Sequence, residues 1–510
     1  MKIKPYWSCS IFTLILGLCV ILYNFSPADA FIGVNWGRLS SQRLIPSMVV
    51  DLLLQNGIQE VRIFQQSENV LEAFYRSGIK VSVGLSNNVM EDYVNETKVS
   101  EWVNDKIIKY EQVLEFRYVT VGRTNPFSPA FQAGKILYDA VQVAGIIQRQ
   151  LDRRRNGSNI KVTIPQYVDI IRLTNTMKPS EADFRDDIKE KMVEYVTLLK
   201  QNQSPFFLTL FPIHYVYNNS LDFDFAFMDN RSTFTVQDIN NANYTNVFEL
   251  LHDACHWCLV KANATEVKIV ISSIGWPTDS FPGANATNAE RFYRSFLPYI
   301  ASGRGTPMRP NRKIDVFLNN LSDENRITIQ IGAFQRHWGI YKFNGEAKYA
   351  IDFSGNGRDN VYPTTGKGVT FMPNRWCVFT GNMDDPGKVE QMRAMACGDS
   401  DCSSLDDGGS CSHLTYKQKV SYAFNRYFQT KGQASEAMNE KCDMGGLGKV
   451  VSENPSNGTC EFPVEILSAE NAVQGATFGA AYGGGERVRE RISAISVGIL
   501  GLINVFWIIV

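Results

Sequence analysis

The sequence predicts an α/β protein, a (β/α)8 TIM barrel followed by a small disulfide-rich module. Between Phe31 and about Phe353, short β-rich runs alternate with stretches whose apolar residues recur at helical spacing. Eight such units in about 320 residues are typical of a closed parallel barrel. After a Gly/Pro/Asn-rich stretch, six of the ten cysteines fall within 90 residues, which indicates a disulfide framework.

The eight predicted strands are short runs rich in β-branched and aromatic residues. They are Phe31–Trp36, Glu60–Phe64, Lys80–Leu85, Arg117–Gly122, Ile160–Ile164, Phe206–Phe211, Val267–Ile271 and Ile314–Leu318. Helical patterns lie between them, for example over Ile45–Asn56, Val99–Tyr110 and Asn288–Ala301. Such barrels carry their chemistry at the C-terminal ends of the strands, so the residues that follow each run are the first place to look for a site.

The N-terminal segment has the pattern of a secretory signal peptide. Lys2 and Lys4 precede the apolar run Ile11–Tyr23, and Ala28-Asp29-Ala30 has the small residues of a cleavage site. We therefore expect residues 1–30 to be removed, so that the mature chain begins at Phe31. A retained membrane anchor is disfavoured because the apolar run is too short to span a bilayer.

The C-terminal segment has the order of a glycosylphosphatidylinositol (GPI) signal. Small residues within 475–485 precede the charged spacer Glu486–Arg491 and the uncharged run Ile492–Val510. A retained transmembrane helix is the alternative, although no basic cytoplasmic residues follow the apolar run. We expect a protein anchored on the extracellular face of the plasma membrane.

The expected organisation has six parts. These are a signal peptide (1–30), the barrel (31–354), a linker (355–374), the cysteine-rich module (375–463), a low-complexity stalk with the anchor site (464–485) and a removed GPI tail (486–510).

Composition limits the classes of partner. Lys plus Arg (51) nearly equals Asp plus Glu (52), which argues against a dedicated nucleic-acid-binding protein. Nine N-x-S/T sequons support secretion and mark candidate glycosylation sites. They begin at Asn95, Asn156, Asn218, Asn230, Asn243, Asn263, Asn285, Asn320 and Asn457. A monomer is expected.

The six clustered cysteines are Cys377, Cys397, Cys402, Cys411, Cys442 and Cys460. They are expected to form three bridges, and the sequence leaves 15 pairings open. Cys255 and Cys258 stand apart, beside His252 and His256 on a helical pattern. A metal site or a redox pair is the alternative to an amphipathic helix with small buried thiols, and we expect the helix, with no metal or cofactor.

Four motifs carry a family resemblance. They are Ile32–Gly37 (IGVNWG), Ile274–Asp279 (IGWPTD), Asp323–Asn325 (DEN) and Arg336–Ile340 (RHWGI). Together they resemble the plant glycoside hydrolase family 17 proteins, the endo-β-1,3-glucanases, over almost all of the predicted barrel. The resemblance implies a barrel that acts on β-1,3-glucan such as callose, and no cofactor.

The cysteine-rich module has a resemblance of its own. Trp376-Cys377-Val378, Gly408–Cys411 (GGSC) and Ser421–Asn425 (SYAFN) look like the family 43 carbohydrate-binding module, which binds β-1,3-glucan. The resemblance implies a barrel, a glucan-binding module and a GPI anchor at the plant cell wall.

The catalytic positions implied by the family are substituted. Retaining glycoside hydrolysis needs two carboxyl groups about 5–5.5 Å apart. The family's acid is a glutamate that closes the fourth strand, where this chain has Thr124 or Asn125, depending on the alignment. The family's nucleophile is a glutamate that closes the seventh strand, where this chain has Ser273.

Two further family carboxylates are neutral in this chain. Phe64-Gln65-Gln66 replaces an aspartate that family members often carry after the second strand, and Gln335 replaces a glutamate before the Arg-His-Trp-Gly motif. Five residues near these positions are expected to bind substrate. They are Asn35, Trp36, Trp276, Glu324 and Trp338.

Three functional hypotheses follow. The first is a β-1,3-glucan-binding protein whose barrel is inactive or impaired in catalysis. The second is an active endo-β-1,3-glucanase that uses relocated acids such as Asp279, Glu290 or Glu324. The third is a structural or signalling protein whose barrel binds another protein.

Overall fold

A computed structural model gives the structure of the chain. It describes residues 30–85, 91–122, 127, 139–154, 159–431, 433 and 438–467. The predicted signal peptide, except its last residue Ala30, lies outside these residues, as do the predicted GPI tail and most of the predicted stalk. Within the described ranges, no helix combines the length and the apolar character that crossing a bilayer requires.

Among the residues that the structure describes, nine strands form one parallel sheet that curls into a barrel. They are β1 (Ile32–Trp36), β2 (Glu60–Ile63), β3 (Lys80–Leu85), β4 (Glu115–Val121), β5 (Lys161–Thr163), β6 (Gln166–Tyr167), β7 (Phe206–Thr209), β8 (Ile269–Ile274) and β9 (Asp315–Leu318). Neighbours follow the order β5-β4-β3-β2-β1-β9-β8-β7-β6. The predicted (β/α)8 TIM-barrel class is confirmed.

Pro165 divides the fifth predicted strand into two short pieces. β5 pairs with β4, whereas β6 pairs with β7, and only Ile164 and Pro165 separate the two pieces. Proline has no backbone N–H, so it cannot donate to a continuous ladder. The two edges of the sheet are therefore consecutive segments of one chain, and this connection closes the barrel.

Within the described ranges, eight α-helices accompany the barrel strands. They are α1 (Pro46–Gln55), α2 (Glu68–Ala73), α3 (Glu96–Lys106), α4 (Asp139–Asp152), α5 (Lys189–Asn202), α6 (Pro212–Asn218), α7 (Val247–Lys261) and α8 (Ala286–Ala301). Asparagine side chains cap α3, α7 and α8, where the oxygens of Asn95, Asn246 and Asn285 accept first-turn N–H groups. Two short antiparallel pairs, Ile171–Arg172 with Asp183–Phe184 and Val236–Gln237 with Asn243–Tyr244, lie in the connections.

Two predicted strand ends are wrong in ways that affect the site. The seventh strand runs over Ile269–Ile274 instead of Val267–Ile271, so Ser273 lies within β8 rather than after it. The sixth strand ends at Thr209 instead of Phe211, because Pro212 begins α6.

The cysteine-rich module has its own small core. β10 (Trp376–Phe379) pairs antiparallel with β11 (Gly448–Val451), and the helices are α9 (Pro386–Asp399), α10 (Tyr416–Lys431) and α11 (Met438–Asp443). The three expected bridges are present. They join Cys377 to Cys442, Cys397 to Cys402 and Cys411 to Cys460.

The segment predicted as a linker packs against the barrel. The backbone N–H of Thr364 donates to the Asn56 side-chain oxygen over 2.8 Å, and the Tyr341 hydroxyl donates to the Thr364 carbonyl over 3.1 Å. The module also contacts the barrel directly. The Gln42 amide donates to the Gln429 carbonyl over 2.6 Å and accepts from the Ile466 N–H over 3.1 Å.

Candidate functional site

Ser273 lies at the C-terminal end of β8, in one layer with residues of the two neighbouring strands. Thr209 of β7 is in register with both Ser273 of β8 and Tyr167 of β6. The Ser273 hydroxyl accepts a hydrogen bond of 2.8 Å from the side-chain amide of Asn35 on β1. The same amide nitrogen donates to the Ser272 carbonyl over 3.0 Å.

This arrangement does not activate Ser273 as a nucleophile. A serine needs a neighbouring general base, and an amide N–H donor such as that of Asn35 cannot accept its proton. Ser273 is also largely buried. The other predicted catalytic position, Thr124 or Asn125, lies outside the described residues.

A buried guanidinium lies beside Ser273. Arg62 of β2 is fully buried, and it donates to the Ser272 carbonyl over 3.3 Å and to the Thr120 hydroxyl over 3.5 Å. Its guanidinium carbon lies 4.8 Å from the centre of the Phe64 ring. Gln66, at one of the neutralised family positions, donates to the Gly84 carbonyl over 2.7 Å. Its amide therefore joins the ends of β2 and β3.

The first proposed relocated acid, Asp279, lies at the boundary with the module. One of its oxygens accepts from the backbone N–H groups of Ser280 and Ser410, over 2.8 and 2.7 Å. The other accepts from the Ser410 hydroxyl over 2.7 Å. Its carboxylate is buried in the contact between barrel and module, where both of its oxygens accept hydrogen bonds from Ser410.

The other two acids also have structural partners. Glu290 lies on α8 and forms an ion pair of 2.7 Å with Arg294, one helical turn later. Glu324 is buried, and it accepts from the Leu39 N–H and the Asn320 amide, each over 3.0 Å.

All five predicted substrate-binding residues are buried. Asn35, Trp36, Trp276, Glu324 and Trp338 are each at most 3% exposed. The Trp276 ring packs against Phe227 and Phe292, and its N–H donates to the Gly283 carbonyl over 3.1 Å. This burial corrects the expectation that the five side chains contact sugar directly, because side chains without solvent access cannot reach a ligand at the surface.

Apart from Trp338, sequence reasoning missed a set of aromatic rings near Ser273. Tyr167 and Phe211 are half-buried and lie 6.1 Å apart, and the Phe211 ring lies 4.3 Å from that of Trp338. Phe281 and the exposed Tyr217 extend the group, with ring centres 4.9 Å apart. We call Tyr167, Phe211, Tyr217, Phe281 and Trp338 the aromatic wall. Its sequence signals were the aromatic residue that ends β6, Tyr167, and the one two positions after the end of β7, Phe211.

His214 lies within the aromatic wall. Its ring contacts those of Phe211, Phe281 and Trp338, with ring centres 5.9, 4.8 and 5.5 Å away. Burial lowers the pKa of His214 to about 4, so its imidazole is neutral at physiological pH. Gln335, at the other neutralised family position, accepts from the Trp338 indole N–H over 3.3 Å.

Cys255 and Cys258 are buried free thiols on α7. Burial raises the pKa of Cys255 well above its ordinary value and that of Cys258 to about 12, so neither is a ready thiolate. His252 lies 3.2 Å from the Asp253 carboxylate. Among the described residues, no cluster of three or more His, Cys, Asp or Glu side chains could ligate a metal ion.

The predicted glycosylation sites differ in exposure. Asn156 lies outside the described residues. Seven sites are exposed, namely Asn95, Asn218, Asn230, Asn243, Asn263, Asn285 and Asn457. Asn320 is 6% exposed and its amide donates to Glu324, so the expectation of a surface site there is corrected by its burial.

Most module aromatics form its core. Trp376, Tyr422, Phe424 and Phe428 are buried. Tyr416 is exposed on α10, where its hydroxyl donates to Glu390 over 3.0 Å. Tyr416 is therefore an accessible ring of the module.

A buried carboxylate of the module forms an ion pair with an arginine of the barrel. Asp401 accepts from Arg336, which follows β9, over 2.9 Å and from Arg426 of α10 over 3.4 Å. Burial alone would raise the pKa of Asp401, but Arg426, His337 and Arg336 together lower it to about 2. The His337 ring also pairs with the Ser403 hydroxyl over 2.8 Å. These contacts fix the module beside the C-terminal ends of β8 and β9.

Comparison with family models divides the chain in the same way. The model of glycosyl hydrolases family 17 matches residues 32–353, and that of the X8 domain matches residues 375–449. Glucan endo-1,3-beta-glucosidase 8 of Arabidopsis thaliana is 32% identical over 464 residues, which cover 90% of this chain and 94% of that protein. Glucan endo-1,3-beta-glucosidase 5 of the same plant is 34% identical over 448 residues, covering 86% and 89%.

Solved structures are similar over the barrel. CJP38, a beta-1,3-glucanase and allergen of Cryptomeria japonica pollen, is 27% identical with a TM-score of 0.59 and covers 64% of this chain and 99% of its own. A plant beta-glucan endohydrolase is 25% identical with a TM-score of 0.56 and covers 63% and 100%.

Proposed function

Because the chain belongs to glycosyl hydrolases family 17 and carries a carbohydrate-binding X8 domain, we propose that it binds β-1,3-glucan without hydrolysing it at family rates. The observation that carries this proposal is Ser273, whose hydroxyl accepts from the Asn35 amide at the position implied for the nucleophile. A serine with that partner supplies neither the attacking group nor the charge of a carboxylate.

The partners of the relocated acids support the same proposal. Asp279 is engaged by the module, Glu290 by Arg294 and Glu324 by neighbouring backbone and amide donors. A retaining mechanism would need two of these carboxyls on either side of one glycosidic bond. Moving any of them there would break its present hydrogen bonds or ion pair.

The aromatic wall supports sugar binding at the barrel. Flat apolar rings such as Tyr167 and Phe211 match the faces of pyranose rings, and their half-buried positions leave part of each ring accessible. The neutral Gln66 and Gln335 avoid the cost of desolvating a carboxylate when a neutral polysaccharide covers the site. The accessible Tyr416 gives the X8 domain a candidate contact of its own.

The proposed location is the extracellular face of the plasma membrane, facing the cell wall. The sequence pattern of the C-terminal segment supports a GPI anchor, and the sequence pattern of the N-terminal segment supports secretion. Treating intact cells with a phosphatidylinositol-specific phospholipase C should release the protein into the medium. Retention on the cells after treatment would contradict the anchor.

Two assays on the purified protein test binding without turnover. Laminarin incubated with the protein should yield no reducing ends beyond a buffer control, under conditions in which an active family 17 enzyme degrades it. Calorimetry with β-1,3-oligosaccharides should give measurable binding heat. Hydrolysis at the rate of the active enzyme would establish the alternative, a glucan endo-1,3-β-glucosidase, and the absence of heat would contradict glucan binding by the barrel and module.

A further inference from the structure

The backbone N–H of Phe31 lies against a buried carboxylate. It donates to Oδ1 of Asp315 over 3.3 Å, and Asp315 is only 1% exposed. Phe31 precedes β1 and Asp315 begins β9, so the contact lies where the first and last barrel strands pair. We propose that cleavage between Ala30 and Phe31 converts this amide into an α-ammonium group that forms an ion pair with Asp315.

Three contacts fix the position of the Phe31 nitrogen. The Phe31 carbonyl accepts from the Val316 N–H over 3.1 Å, which continues the ladder between β1 and β9. The Phe31 ring packs edge-on against Phe317 with ring centres 5.0 Å apart. The Arg117 guanidinium lies 4.3 Å from the centre of the same ring. A terminal amine on Phe31 would therefore remain beside Asp315 without a new ordering cost.

The two carboxylate oxygens of Asp315 have different neighbours. Lys268 contacts Oδ2 of Asp315 over 2.5 Å, and Arg117 lies 3.9 Å from the same oxygen, whereas Oδ1 receives the Phe31 N–H. A second buried acid, Glu60, pairs with Arg117, but its Oε2 has no hydrogen-bond partner among the described residues. An ammonium group on Phe31 would place a cation beside Oδ1 of Asp315, the oxygen to which the Phe31 N–H now donates.

The raised pKa of Glu60 also indicates that a carboxyl group at this end of the barrel is strongly desolvated. Burial raises this pKa to about 7 despite the neighbouring Arg117. Part of the Glu60 population would therefore be protonated near neutral pH, which is the expected response of an incompletely compensated carboxyl group. The ion pair of the terminus with Asp315 would lie in the same group of charges.

The chemical step needs only water and a secretory signal peptidase. Water adds across the carbonyl–nitrogen bond between Ala30 and Phe31, and that bond breaks. The carbonyl of Ala30 becomes the carboxylate of the released leader, and the Phe31 nitrogen becomes an amine that is protonated to an ammonium. The neutral hydrogen bond to Asp315 then becomes charge-assisted, and such bonds are shorter and about twice as strong.

A double-mutant cycle tests the ion pair between the Phe31 ammonium and Asp315 in the full chain secreted from plant cells. One change inserts an alanine between Ala30 and Phe31, which moves the ammonium one residue away and leaves every side chain in place. The other is Asp315→Asn. Mass spectrometry of the N-terminal peptide should identify Phe31 as the first residue of the natural chain and the inserted alanine as that of the variant.

Thermal unfolding should show coupling between the two changes. The insertion should lower Tm by about 2–4 °C when Asp315 is present, and it should leave Tm unchanged in the Asp315→Asn background. Glu115→Gln is the matched control, because this carboxyl is exposed and pairs with Lys80. The insertion should lower Tm equally with and without that control change.

A direct titration of the amine covers the case in which Asp315→Asn folds poorly. NMR of the ¹³C-methylated α-amine should give a pKa above the usual value of about 7.7–8.0 in the natural chain and the usual value after the insertion. Three results would overturn the proposal. They are a mature chain that begins elsewhere, an α-amine pKa that the insertion does not change, and a Tm loss on insertion that persists in Asp315→Asn.

Discussion

The amide of Asn35 on β1 donates to the hydroxyl of Ser273 on β8 over 2.8 Å, across the intervening strand β9. The same amide donates to the Ser272 carbonyl, so one side chain links two distant strands at the C-terminal end of the barrel. A glutamate at position 273 could accept the same donor, because Asn35 offers an N–H to whichever oxygen lies there. A carboxylate at position 273 would therefore have a hydrogen-bond donor already in place.

Restoring both family carboxylates should therefore create activity. The double variant Thr124→Glu with Ser273→Glu should release reducing ends from laminarin at least about 100-fold faster than the unchanged protein, since a positioned acid alone contributes about 10²–10⁴. Each single variant should remain inactive, because the retaining mechanism uses both groups in each step.

The matched control carries glutamine at both positions. Thr124→Gln with Ser273→Gln has nearly the same shape but no ionisable group, and it should remain inactive. If the glutamate pair and the alternative pair, Asn125→Glu with Ser273→Glu, both fold with unchanged circular dichroism spectra and yield no reducing ends, the missing carboxylates are not what prevents hydrolysis.

The sequence predicted the barrel well because parallel strands in the interior are continuous apolar runs. Val61, Val81 and Val83, for example, are fully buried. It predicted the site less well because burial at a strand end depends on loops that come from elsewhere in the chain. Trp276 follows β8 as expected, but Phe227, about fifty residues earlier, covers its ring. No local pattern in the sequence reports that contact.

The position of the module relative to the barrel could not be predicted from the sequence either. Asp279 looked like a spare acid because it follows the family motif, and only the structure brings Ser410, 131 residues later, to its carboxylate. Conversely, the three bridges could be counted but not paired from spacing alone, because pairing depends on how β10, α9 and α10 pack together.

Tyr167 should contribute to glucan binding at the barrel. It lies in the same layer as Ser273, and its ring is half-buried within the aromatic wall. Tyr167→Ala should weaken binding of β-1,3-oligosaccharides by about tenfold, corresponding to one stacked ring. Tyr167→Phe keeps the ring and should bind nearly as well as the unchanged protein.

Calorimetry on a chain that also carries Tyr416→Ala would measure oligosaccharide binding by the barrel, because the accessible aromatic ring of the module is then absent. Equal affinities for Tyr167→Ala and Tyr167→Phe in that background would show that the ring is not a sugar contact.

Asp401 should couple the unfolding of module and barrel. Asp401→Asn leaves the half-buried Arg336 and Arg426 without their shared buried carboxylate, and breaking such a pair costs about 3–5 kcal/mol of unfolding free energy. Calorimetry should then resolve the module as a separate transition at lower temperature. The exposed ion pair of Asp399 with Lys431 supplies the control, since Asp399→Asn should leave a single transition.

The same acid predicts a pH dependence of the coupling. The pKa of Asp401 is lowered to about 2 in the folded protein, against about 3.9 when unfolded. Its contribution is therefore fully present above about pH 4 and is lost as the pH falls towards 2. Separate transitions in the unchanged protein at pH 7 would contradict this assignment.

His214 should make the fold less stable in mild acid. Burial lowers its pKa to about 4, whereas an unfolded histidine titrates near 6.5, so the unfolded chain binds the proton first as the pH falls. Stability is unaffected by this group above about pH 6.5 and decreases between pH 6.5 and 4, by about 3 kcal/mol in total. His214→Phe suits the surrounding rings and removes the titration.

Denaturant unfolding of both proteins across this range isolates the effect. Glu60 and His256 also have shifted pKa values, but both are present in each protein and cancel in the difference. The unfolding free energy of His214→Phe relative to the unchanged protein should rise by about 3 kcal/mol from pH 7.5 to pH 4. Parallel curves over that range would mean that the imidazole is protonated in the folded protein, and that the aromatic wall admits enough water to hydrate the charge.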